Sequence, residues 1–107
     1  MAYDEQLAER VRTLLGAGAT ERKMFGGIAF MAGGHMACGV LGDELMVRLG
    51  PELADAALDE PHTRVMDMTG RPMRGFVVVT PAGLASEEAL AGWVRRGEAY
   101  AASLPPK

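Results

Sequence analysis

After Lys23 the pattern changes to period two, clearest where Met36, Cys38 and Val40 and then Leu45, Val47 and Leu49 recur at every second position, and the segment up to Leu49 is cut by two pairs suited to tight reversal, Gly33-Gly34 and Gly42-Asp43. Period two is the spacing at which side chains alternate across a strand, and glycine supplies the positive φ that short hairpin turns require. The segment therefore predicts a three-stranded antiparallel meander over residues 24–31, 35–41 and 44–49. Met36, Cys38 and Val40 share one face of the second strand, and Leu45, Val47 and Leu49 share one face of the third. Gly26-Gly27 lies inside the first strand and marks a bulge or a close approach of two backbones.

The flanking segments follow other rules. Leu7, Val11, Leu14 and Leu15 have the spacing of a helix with one buried stripe, with Asp4 as its N-cap and Gly16 and Gly18 as its stop. Gly50-Pro51-Glu52 opens a short helix with proline at its first position, an apolar face of Leu53, Ala54, Ala57 and Leu58, and Pro61 beyond its end. Residues 64–68 and 75–80 read as two further strands, and the β-branched run Val77, Val78, Val79 predicts burial on both faces. Ser86 caps a last helix whose inner stripe holds Leu90, Trp93, Val94, Gly97, Tyr100 and Ala101. Trp93 and Tyr100 are expected to dock on the strand of Val77 to Val79. Strands in runs, flanked by helices, describe a two-layer α+β fold: an antiparallel sheet with helices mainly on one side.

With 107 residues, 49% of them hydrophobic and 23% charged, there is apolar material for one core and not for two. We expect one domain over 1–107, with its core at about 4–103 and a short tail at 104–107. The formal charge of -3 removes the electrostatic drive that duplex binding needs, so autonomous DNA binding is not expected. The longest charge-free run, 24–42, is interrupted by glycines and contains His35, so it is no membrane span. Tyr3, Asp4 and Glu5 stand where a secretory signal would place Lys or Arg, which points to the cytoplasm.

No catalytic constellation stands out. Cys38 is the one cysteine and reads as a small buried hydrophobe. A copper(I) site built from it, His35 and the methionines fails, because residues three apart on a strand face opposite ways. Ser86 and Ser103 are a helix cap and a tail residue, and the pairs Asp43-Glu44, Asp59-Glu60 and Glu87-Glu88 fall at turns and helix ends. The glycines lack the Gly-Lys-Ser/Thr ending of a phosphate loop. No enzyme, no metal and no cofactor is expected.

Three strings then become recognisable in their order and spacing: Arg22-Lys23-Met24-Phe25-Gly26-Gly27, Leu45-Met46-Val47-Arg48 and Gly70-Arg71-Pro72-Met73-Arg74-Gly75-Phe76. Together they resemble the N-terminal domain of the TfoX/Sxy family, from the first helix to about Tyr100. The resemblance implies a bacterial protein related to regulators of natural competence, which act beside the cyclic-AMP receptor protein at promoters. It also implies a fold with the order α-βββ-α-ββ-α, similar to secretion chaperones. Fuller members of the family carry a second, helical domain, whereas this sequence ends at Lys107.

The leading expectation is a non-enzymatic regulatory or protein-interaction module, its partner in the transcription machinery by resemblance. Lys23, Arg48, Arg71 and Arg74 are the candidate residues for a partner or an anion, since all four lie in the recognised strings. Their bland alternative is solvated arginines plus one ion pair, of Arg48 or Arg74 with Asp67. A second function is a small-ligand or anion binder in which the four converge on one pocket. A third is a structural homodimer subunit: the sheet face away from the helices carries Met46, Ala37, Gly39 and Leu41, and an exposed apolar face of that kind marks association, with Met46 at the interface.

Overall fold

A computed structural model describes residues 3–16, 18–24, 26–68 and 71–105, with the backbone alone at 68, 71 and 72. Its elements run α1 (Glu5–Leu15), β1 (Thr20–Met24), β2 (Gly27–Ala32), β3 (His35–Leu41), β4 (Glu44–Arg48), α2 (Pro51–Ala57), β5 (Thr63–Met68), β6 (Arg71–Val79), a 3₁₀ turn (Pro81–Leu84) and α3 (Glu87–Ser103). Local chemistry sets the helix starts. Asp4 Oδ1 accepts from the Gln6 and Leu7 amides at 2.9 and 3.1 Å, and Ser86 Oγ accepts from Ala89 N–H at 3.0 Å, so each side chain satisfies amides that a helix start leaves free. Pro51 sits in the first turn of α2.

Among the described residues the strands form one antiparallel sheet in the order β1-β2-β3-β4-β6-β5, and the helices pack on one face of it. The chain is α+β and two-layered. It holds one strand more than periodicity predicts, because Thr20–Met24 pairs with β2 while showing almost no apolar alternation. An edge strand with both faces near solvent has no buried side to mark its period. The turn between β1 and β2 includes Gly26 at φ +74°, and a Cβ on Gly27 would overlap the Val40 carbonyl oxygen, so the close approach expected here is real.

The core under the helices gathers Leu7 and Val11 of α1, Ile28, Phe30, Cys38, Val40, Leu45, Val47, Val77 and Val79 of the sheet, Ala54 and Ala57 of α2, and Leu90, Trp93 and Val94 of α3. α3 lies over β3 and β4, and α2 covers β6. Trp93 thus shares a core with Val77 and Val79, while Tyr100 lies half-buried at the sheet's end and not in the inner stripe. Val78 is buried from the opposite face, as the β-branched run predicts.

That opposite face is methionine-rich. Ala29, Met36, Met46, Met66 and Val78 are buried there, ringed by half-buried Met24, Met31, Leu41, Met73 and Phe76. A register shift opposes Phe30 to Cys38 but Met31 to Met36, leaving Ala37 as the extra residue of a bulge. The bulge turns Met36 away from Cys38, which corrects the single-face reading of Met36, Cys38 and Val40. It also removes the premise that three-residue spacing sends His35 and Cys38 apart. Thioether side chains fold over the small residues Ala29 and Gly39 and close this face without a helix. On its β5 side the Arg64 guanidinium and Glu44 carboxylate form an ion pair across β6. Among the described residues the large apolar side chains left exposed are Leu53, at 60%, and Val65, at 44%, and neither is on this face's methionine cluster. No described helix is long and apolar enough to cross a membrane.

Candidate functional site

At the end of β4 the chain changes direction within three residues. Arg48 pairs with Phe76 across β4 and β6, and the Leu49 and Gly50 amides then both donate to the Gly75 carbonyl, at 2.8 and 3.1 Å. Gly50 has φ +86°, and a Cβ on it would stand 2.6 Å from Tyr100 Cε1, so only glycine allows this turn and the ring against it. Pro51 then starts α2. Ala54, Ala57 and Leu58 complete the inward i, i+3, i+4 pattern, and Leu53 is left pointing to solvent. Its assignment to the apolar inner face is therefore corrected.

This corner holds a cleft of about 430 Å³, lined by Leu49, Gly50, Pro51, Glu52, Leu53, Arg74 and Tyr100. Arg48 adjoins it through Tyr100: its guanidinium carbon lies 5.5 Å from the Tyr100 ring centroid and 5.9 Å from that of Phe76. Rings at that range attract a cation by roughly 0.5–1 kcal/mol when partly solvated, and they hold its position. Among the described residues Arg48 and Arg74 form no ion pair, with Asp67 or any other carboxylate. By contrast, Arg10 pairs with Glu87, Arg12 with Glu9 and Glu21, Arg64 with Glu44, and Arg96 with Glu60.

The four basic candidates do not converge. Lys23 stands opposite Ile28, in the row that runs through Val40, Leu45 and Val79, whereas Arg48 lies three residues further along β4. Three strand spacings across and three residues along separate their backbones by about 14 Å and about 10 Å in the two directions. The Arg71 side chain lies outside the described residues. Met46 is fully buried and offers no contact surface of its own. Of the lining residues only Arg74 is a sequence candidate; Leu49, Gly50, Pro51, Glu52, Leu53 and Tyr100 are missed as site residues, and the one visible signal is the surplus of Leu53 over the α2 stripe.

Other reactive groups are occupied or shielded. Burial, with the charge of Glu98 adding to it, pushes the Cys38 thiol up to about 12, so it is neutral at physiological pH and no nucleophile. His35 Nε2 donates to the Pro105 carbonyl at 2.5 Å, which fixes the chain after α3. Clefts of about 260 and 290 Å³ flank Arg10, whose guanidinium already donates to Glu87 and to the Leu84 carbonyl. The described residues hold no group of three or more His, Cys, Asp or Glu placed for a metal ion.

Compared with known families, residues 10–101 match the model of the TfoX N-terminal domain. The chain belongs to the TfoX N-terminal domain family. Membership covers β1 through most of α3, so both the Arg48 corner and the methionine face lie within the family's extent. No curated protein matches the chain.

Proposed function

We propose that this TfoX N-terminal domain is a non-enzymatic regulatory module that acts by docking onto a protein partner through the cleft beside α2. Family membership suggests a competence-related regulatory domain, and a partner in the transcription machinery fits that suggestion. The observation that carries the reading is Leu53, an apolar side chain 60% exposed in a cleft that it shares with Arg74 and with Tyr100, the ring that holds Arg48. Apolar anchors beside arginine are what protein interfaces enrich at their centres. With a net charge of -3, the module would reach DNA through its partner and not by itself.

Affinity capture from the source cell with the full chain tests this, comparing wild type, the Leu53→Ser/Arg74→Ala double variant and Arg22→Ala. Arg22 is exposed on β1, at the far edge of the sheet. A protein retained by wild type and Arg22→Ala but lost from the double variant supports docking at the cleft. The same set of proteins on all three overturns it.

A further inference from the structure

We infer that the cleft beside α2 takes an acidic peptide segment of the partner, one with an apolar side chain next to its carboxylates; this rests on the docking function proposed above. Charge complementarity is the first ground. Arg10, Arg12, Arg64 and Arg96 each have a carboxylate of this chain, while Arg74, which lines the cleft, and Arg48, held on the ring of its lining residue Tyr100, have none among the described residues. A guanidinium held over aromatic rings keeps its donor fork free for a carboxylate, and the bond so formed is charge-assisted. The Leu49 and Gly50 amides are closed to such a carboxylate, since both donate to the Gly75 carbonyl.

The apolar part of the lining supplies the second ground. Leu49, Pro51, Leu53 and Tyr100 make most of the wall, and Leu53 stays 60% exposed, so the cleft is open along α2. An open wall of that kind suits a chain segment that lays one apolar side chain on it. A small anion alone would leave the wall uncovered, and small-molecule sites enclose most of their ligand. Nucleic acid would bring many phosphates toward a chain of net charge -3. Glu52 lines the same cleft and opposes the two arginines, which tunes affinity downward and gives the inference a variant that should gain binding.

Selection of random short peptides displayed against the immobilised full chain, followed by fluorescence anisotropy of the recovered peptides, tests this. Binders enriched in Asp or Glu around Leu, Ile, Phe or Met are expected. Arg74→Ala and Leu53→Ser should each weaken them about tenfold, the scale of losing one charge-assisted bond or one apolar anchor. Glu52→Gln should tighten binding, and Arg22→Ala should leave it unchanged. Binders without acidic residues, binding indifferent to Arg74→Ala, or displacement by millimolar inorganic phosphate at constant ionic strength would each overturn the inference. If no peptide is recovered while cell proteins still depend on Leu53 for capture, the acidic-segment chemistry falls and docking at the cleft stands.

Discussion

Met46 lies across Gly39: the two face each other from β4 and β3, and a Cβ on Gly39 would overlap Met46 Cε and stand 2.9 Å from the Ile28 carbonyl oxygen. The methionine can swing aside but the carbonyl belongs to the sheet backbone. Gly39→Ala should therefore destabilise the domain by about 1–3 kcal/mol, the usual cost of overpacking. Urea denaturation checks this, and an unchanged midpoint would mean the strands yield more easily than their pairing implies.

The burial of Met46 reverses what a surface reading of it predicts. Met46→Glu places a carboxylate among Met66, Val78 and Ala29, with no described partner to hold it, and a buried unpaired charge costs several kcal/mol. The variant should lose cooperative unfolding. Leu53→Glu, at an exposed position, should keep its stability within about 0.5 kcal/mol of wild type. A folded, soluble Met46→Glu would show that the methionine face opens readily in solution.

Trp93 is the largest side chain of the helix-side core, 8% exposed, with Arg96 above its ring at 4.1 Å and Glu60 holding Arg96 at 2.9 Å. Trp93→Ala should cost about 3–5 kcal/mol, a large share of the stability of a domain this size. Arg96→Ala removes the cation–π contact and a solvent-screened ion pair, and should cost about 1 kcal/mol. Tryptophan is absent from the first variant, so circular dichroism gives the common measure.

Cys38 makes stability depend on alkaline pH. Burial raises the folded thiol to about 12, while the unfolded thiol ionises near ~8.5. The unfolded state thus sheds its proton first as pH rises, which favours unfolding, so stability is complete below the unfolded value and declines from about pH 9 up to the folded value, by at most ~1.4 kcal/mol per unit. Denaturant midpoints at about pH 8 and about pH 10 should separate more for wild type than for Cys38→Ala. Equal separation would mean that the thiol reaches solvent in the folded state.

Much of this fold is written in local chemistry. Asp4, Ser86 and Pro51 mark helix starts by hydrogen-bond capacity and ring geometry, which depend on a few neighbouring residues, and the structure has helices starting at each. Periodicity and apolar runs found the strands whose side chains are largely buried. It missed β1, where Thr20 to Lys23 are all exposed, and it missed the Ala37 bulge, because one extra residue reverses the alternation without changing composition. The site was legible only in part. Arg48 and Arg74 were named from sequence, but their nearness to Tyr100 comes from α3 crossing the sheet end, a contact between residues far apart in the chain. Spacing alone places Leu53 on the apolar face of α2, but Ala54, Ala57 and Leu58 fill the contact with the core and leave it in solvent.

Site-specific photo-crosslinking in the source cell addresses docking at the cleft most directly, with a photoreactive phenylalanine placed at Leu53 or, as control, at Arg22. Docking through the cleft predicts a discrete protein adduct from position 53, absent from position 22 and lost when Arg74→Glu is added in the same chain. Equal adducts from both positions, or an adduct at position 53 that survives Arg74→Glu at full yield, would contradict it.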